Sequence, residues 1–204
     1  LSADNTYSGG TTVSAGTLQI GAGGSTGSVT GNIVNNANVT FNRSDALNYA
    51  GVISGTGSLT MDGGTLRLTN DNTYTGATIL NSGELAIGTS GGSTGSIASQ
   101  SILFNGGNFY IRRNGDLTYS GIMSGSGSGQ FRDYGNSGTL TLSGNSTRTS
   151  GTHFRGSRTI KLTHGNALGN SPYVFLLDGN SLVLSGGITT SFGNVNILGT
   201  GATG

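Results

Sequence analysis

Apolar residues in this chain come in pairs separated by one position. They include Leu18/Ile20, Val39/Phe41, Leu59/Met61, Leu66/Leu68, Leu85/Ile87, Ile102/Phe104, Phe109/Ile111, Leu140/Leu142, Ile160/Leu162, Leu182/Leu184 and Val195/Ile197. Gly, Thr, Ser or Asn flank them, and the middle residue is often polar, as at Gln19, Thr40, Arg67, Thr141 and Asn196. This period of two predicts short strands with one buried face. No stretch carries a helical period. Several pairs recur about 20 residues apart, as at Leu18, Val39 and Leu59 or at Leu140, Ile160 and Leu182.

A longer repeat overlies the short one. Residues 5–21 (Asn-Thr-Tyr-Ser-Gly onward) match residues 72–88 (Asn-Thr-Tyr-Thr-Gly onward), 67 positions later. Tyr49–Gly57 matches Tyr119–Gly127 at an offset of 70, and Gly64–Leu68 matches Gly138–Leu142 at an offset of 74. A weaker third copy begins near Asn145. The chain reads as three imperfect units, near 1–71, 72–144 and 145–204. It enters and leaves within copies: Leu1–Tyr7 matches Leu68–Tyr74, and Gly199–Gly201 matches Gly55–Gly57. The expectation is one continuous body cut from a longer chain.

Composition narrows the fold. Forty of 204 residues are Gly and one is Pro; net charge is +1 and 8% of residues are charged. Disorder by self-repulsion needs a larger net charge, and collagen needs a three-residue Gly period. Glycine within strands costs roughly 0.5–1 kcal/mol each, so forty such sites would exceed a typical net stability of about 5–15 kcal/mol. Most must therefore sit in turns, which implies many short strands. Absent cysteine removes disulfides and thiolate chemistry. A pI near 8.3 is too mild for a nucleic-acid binder.

Short strands, many turns and a rung of about 20 residues predict an all-β parallel β-solenoid of about nine or ten coils. Each coil would pair its backbone with the next and stack side chains in ladders. At about 4.8 Å per coil the rod would be about 45 Å long. The competing architecture is an antiparallel sandwich or barrel with strands every 8–12 residues.

Residues 55–88 carry Gly-x-Gly, Leu-Thr, Gly-Thr-Leu-x-Leu, Asn-Thr-Tyr-x-Gly and a closing Gly-x-Leu strand. This pattern closely resembles the autotransporter-associated β-strand repeat, also called the passenger-associated transport repeat. It departs at Met61, where the family usually has Lys, and in the third copy, where Arg148-Thr149 interrupts the Asn-Thr-Tyr element. The resemblance implies a right-handed, single-stranded β-helix in the surface-exposed passenger of a Gram-negative autotransporter, exported across the outer membrane. It implies an adhesin-type stalk, structural and aiding export rather than catalytic. In that family a C-terminal outer-membrane barrel anchors the protein, and no barrel signature is visible in this chain. Membrane attachment is expected only through such an absent segment.

Candidate chemistry is sparse. Gly-x-Ser-x-Gly at Gly23–Gly27 and Gly91–Gly95 has the form of a hydrolase elbow, but both copies hold the same repeat position, which predicts turns. Asp4 and Asp71 share a position and are expected to cap turns. The remaining carboxylates, Asp45, Asp62, Glu84, Asp116, Asp133 and Asp178, are scattered, so neither a metal site, a cofactor nor a catalytic carboxylate pair is expected. His153 aligns with Thr78. The ladders Tyr7/Tyr74 and Tyr49/Tyr119 are expected to stack between neighbouring coils. Arg148, Arg155, Arg158 and Lys161, near Phe154, form a basic cluster that could face an anionic glycan or phosphate, and Tyr110 and Tyr134, with Tyr173, lie outside the tyrosine ladders and could stack on sugars. Expected partners are a host or neighbouring cell surface or a glycan, with end-to-end self-association as an alternative: residues 1–100 carry net charge −3 and residues 101–204 net +4. Two alternatives to the stalk are a subunit of an extracellular β-solenoid filament or sheath and a polysaccharide-active β-helix enzyme.

Overall fold

The computed structural model describes residues 1–177, 179–190 and 193–198, with Leu198 described by its backbone alone. Asp178 and the Gly199–Gly201 motif lie outside these residues. Every strand pairing is parallel, and each joins one coil to the next. The chain is a β-solenoid of about nine turns, as the spacing of the apolar pairs predicts; the antiparallel alternative is excluded. Coil length varies: Leu66 pairs with Leu85, 19 positions on, whereas Leu85 pairs with Phe109, 24 positions on. Register is kept through these changes because the surplus residues leave the ladder as loops.

The core is a set of inward ladders. Ile20, Phe41, Met61, Leu80 and Phe104 stack coil upon coil, and all are buried. A second ladder runs Leu66, Leu85, Phe109, Phe131, Thr152 and Val174. Phe109 and Phe131 stack with ring centroids 5.8 Å apart. Each short strand contributes only one or two apolar groups to this thin interior, so a chain with 32% hydrophobic residues can fill it. A twelve-stranded sheet runs along the rod. Its strands Ser58–Leu68 and Thr78–Ile87 turn a corner without ending, through register shifts beside Asp62. Outside that corner Asn105 donates to Asn81, and Asn81 to Asp62, each at 2.8 Å.

The long repeat and the coil do not share a period. Leu18 pairs in succession with Val39, Leu59 and Thr78, three coils along. Its repeat equivalent is Leu85, one strand further. Likewise Leu66 leads after three coils to Phe131, whereas its repeat equivalent Leu140 lies in the next strand, in a separate four-stranded sheet. One repeat therefore advances three coils plus one strand, and equivalent residues move to the adjacent face. This corrects the expected tyrosine stacking: Tyr7 and Tyr74 are coils apart, and Tyr7 is exposed while Tyr74 is buried. What repeats is local. Tyr7 and Tyr74 each hydrogen-bond the Thr four residues on, Thr11 at 2.8 Å and Thr78 at 2.7 Å.

The tyrosines of the second set explain two glycines. Tyr49 and Tyr119 fold over the chain two residues ahead. A Cβ at Gly51 would lie 2.5 Å from the Tyr49 hydroxyl and 2.1 Å from Gly31 O; one at Gly121 would lie 2.3 Å from the Tyr119 hydroxyl. Neither position tolerates a side chain while the ring stays in the core. Gly51→Ala is expected to destabilise the rod by about 1–3 kcal/mol, read in a denaturation midpoint. Gly9→Ala, where a Cβ meets nothing within 4 Å, should leave the midpoint within experimental error.

Candidate functional site

The functional candidates come from strand alternation on one face of the twelve-stranded sheet. In Asn108–Ile111, Phe131–Asp133 and Thr152–Arg155, one set of side chains fills the core and the other points out. The outward ladder reads Tyr110, Arg132, His153 and Phe175 in strict register. Arg112, Tyr134 and Arg155 flank it. The Arg112 guanidinium lies 5.1 Å from the Tyr110 ring centre and 4.9 Å from that of Tyr134; Arg132 lies 5.4 Å from Tyr110. Tyr110 and Tyr134 meet edge-on at 5.7 Å. His153, Tyr173 and Phe175 form a second aromatic group with centroids 5.1–5.6 Å apart. Cation–π contacts of this kind hold guanidinium groups in fixed positions at a protein surface. Arg112 also pairs with Glu84 at 3.2 Å, and Arg132 donates to Gln130 Oε1 from Nε at 2.9 Å.

Beside this face lies a cavity of about 490 Å³ lined by Ser90, Arg112, Tyr134, Asn136, Arg155 and Gly156. Its size is that of small-molecule sites. The structure thus brings Tyr134 and Arg155 together, with Tyr110 beneath them, and adds Arg112 and Arg132. The sequence reading missed both arginines, because the coil-to-coil register that aligns them with Tyr110 depends on loop lengths. Their signal was the alternation in Phe109–Arg112 and in Phe131–Tyr134, which places them outward. Lys161 stands apart, half-buried on the outward position of the four-stranded sheet. Tyr110 is only 7% exposed; it supports arginines instead of offering a free ring to sugar.

Arg148 and Arg158, expected on a ligand-facing surface, are corrected to interior positions. Arg148 is fully buried. It aligns with Tyr74 at the offset of 74 and makes the same contact four residues on, to Thr152 Oγ1 in place of Thr78. Ser150 Oγ at 2.9 Å and Gly151 O accept from it, and its guanidinium lies 5.4 Å from Phe104 and 5.7 Å from Phe131. Burial pushes its pKa down to about 9, so it stays cationic at neutral pH. The same offset sets Thr152 against Thr78 and His153 against Ile79, one position from the expected match. That shift frees His153 from the inward Thr position and turns it out.

Arg158 forms a buried ion pair with Asp133, donating from Nε at 2.9 Å and from Nη2 to the other oxygen. Asp133 occupies a core ladder position between Ile111 and Phe154. Burial pushes its carboxyl up to about 6, against the opposing pull of Arg158. Both side chains of the pair are fully buried.

The Gly-x-Ser-x-Gly segments are turns. Gly23, Gly27, Gly91 and Gly95 all have positive φ, between 84° and 102°. The expected aspartate caps are real, but they reach across coils: the Gly27 N–H donates to Asp4 Oδ1 at 3.0 Å and the Gly95 N–H to Asp71 Oδ1 at 3.1 Å. A buried arginine supports each loop. Arg43 donates to Gly27 O and Ser25 O and pairs with Asp45 at 2.8 Å, holding that carboxyl below the usual range. Arg113, its counterpart, approaches Asp71 at 4.0 Å.

Residues 1–20, 61–87 and 136–156 match the family passenger-associated-transport-repeat. The three stretches carry the Tyr7, Tyr74 and Arg148 elements or lead into them. The chain thus carries three passenger-associated-transport-repeat stretches. A curated relative, the adhesin BmaC autotransporter of Brucella suis biovar 1 (strain 1330), is 61% identical over 54 residues. That alignment covers 26% of this chain and 2% of the relative, so the chain spans a small fraction of the relative's length. No solved structure matches. The repeat match and the autotransporter relative together indicate export to the bacterial cell surface.

Two measurements test these interior and exterior groups. Asp133→Asn leaves Arg158 buried without its counter-charge and should cost about 3–5 kcal/mol; Asp133→Leu combined with Arg158→Met should cost clearly less in the same denaturation experiment. His153 is held below its ordinary value, first by burial and then by Arg132, Arg155 and Arg148. A histidine depressed in the fold contributes stability that is intact above its unfolded value of about 6.5 and lost as pH falls toward its folded value. The melting temperature of His153→Gln should therefore fall less than that of the parent chain between about pH 7 and pH 5.

Proposed function

We propose that this segment is a non-catalytic stalk within an adhesin-type passenger, holding adhesive surface away from the cell and aiding export. The observation that carries the reading is the pairing scheme. Each coil hydrogen-bonds to its immediate neighbours, as in Thr17 to Asn38 and Asn38 to Ser58. Contacts therefore link sequence-adjacent coils, and a chain emerging from a membrane can fold one coil at a time on the coil before it. The gain from each added coil disfavours backward movement.

The partner is a host or neighbouring cell surface, or a glycan on it. The adhesin description of the Brucella relative and the outward arginine–aromatic face support this reading. In cells carrying the full-length parent protein, removal of residues 1–204 should lower surface display and adhesion together. Unchanged display and unchanged adhesion would overturn both halves of the proposal; loss of adhesion alone would overturn the export role.

A further inference from the structure

We propose that the cavity between Ser90, Arg112, Tyr134, Asn136 and Arg155 is a binding site for an acidic saccharide, one whose sugar rings carry carboxylate or sulfate groups. The inference deepens the adhesin reading and rests on it only for the site's exposure outside the cell.

The first support is charge. Arg112, Arg132 and Arg155 converge on this face, and among the described residues Glu84 is the carboxylate paired there. Glu84 engages Arg112, and among the described residues no carboxylate pairs with Arg132 or Arg155. Arg155 is exposed, and its side chain makes no hydrogen bond or ion pair among the described residues. Bringing like charges together on a rod with so few charges costs energy that a bound anion would recover. His153 at the margin is held below its ordinary pKa, first by burial and then by neighbouring arginines that include Arg132 and Arg155.

The second support is rigidity. The Arg112 guanidinium is stacked on Tyr110 and Tyr134 and tied to Glu84, and that of Arg132 is held by Tyr110 and Gln130. Arginines fixed in this way lose little side-chain entropy when they bind, which lowers the cost of recognition.

The third is the wall. Ser90 belongs to the loop that lengthens its coil to 24 residues, from Leu85 to Phe109. With Asn136 it supplies neutral donors and acceptors opposite the Tyr134 ring. Hydroxyl-bearing sugar rings present apolar faces to an aromatic side chain and edge hydroxyls to amides. An extended acidic peptide would use the arginines but not this mix of ring and neutral polar groups. The first copy supplies an internal control: its equivalent loop, residues 21–28, is followed on the next coil by Asn42 where the second copy has Arg112.

The test is titration calorimetry of the intact chain at low ionic strength with an oligogalacturonate, its fully methyl-esterified form, inorganic sulfate and a poly-glutamate peptide. The acidic oligosaccharide should bind, the ester should not, and added salt should weaken binding. Arg155→Gln should weaken it at least tenfold with an unchanged melting temperature, whereas Lys161→Gln, on the separate sheet, should leave it unchanged. Tyr134→Leu should weaken saccharide binding while leaving any sulfate binding as it was. Binding of no acidic saccharide, equal binding of the ester, poly-glutamate as tight as the saccharide, or indifference to Arg155→Gln would each overturn the proposal. Because purified chain is titrated, failure here is separable from failure of the display experiment.

Discussion

Parallel backbone pairing between successive coils is the constraint on which this structure depends. A strand of three or four residues cannot satisfy its own N–H and C=O groups. It must find a neighbour on each side, and the neighbour is the same part of the preceding or following coil. Once Leu18, Val39 and Leu59 share a register, the side chains beside them are fixed as well, inward or outward in alternation. Extra residues can then enter only as loops. The loops at Gly21–Ser28 and Gly88–Ser96 are such insertions, and Asp4, Asp71, Arg43 and Arg113 hold them against the rod.

A repeat of three coils plus one strand gives the molecule its unevenness. Were the repeat a whole number of coils, each ladder would stack like on like and every face would be uniform. The extra strand instead carries each motif to the next face. A Tyr with its Thr partner is exposed at Tyr7 and enclosed at Tyr74. In the third copy Arg148 takes over this local contact from inside the core. A fully buried cation is tolerated there because the hydroxyls of Ser150 and Thr152, the Gly151 carbonyl and two phenylalanine rings replace water around it.

The same stretch of rod separates its charges by alternation. Asp133 and Arg158 neutralise one another inside, while Arg132 and Arg155, from the same strands or their neighbours, are left outside. The interior pair does little for net stability relative to apolar side chains of the same size, but either partner alone would be costly. Arg112 and Arg132 rest on tyrosine rings, so their part of the surface is fixed by packing. Recognition on a thin rod has to come from its outer ladders, because the core is too narrow to form a deep cleft of its own.

Much of this was legible in the residues. The period of two in Leu66/Leu68 or Phe109/Ile111 determined strands, the spacing of about 20 determined coils, and the Asn-Thr-Tyr copies determined a local turn that recurs even where Arg148 replaces Tyr. These are short-range properties, set by backbone geometry and by which side chains water rejects. The tertiary structure decided which strand stacks on which, since loop lengths of a few residues move the register without changing the strand pattern. For that reason Arg148 and Arg158, which look like surface cations in a polar sequence, lie inside. For the same reason Arg112, Arg132, Tyr134 and Arg155, drawn from three different coils, meet on one face.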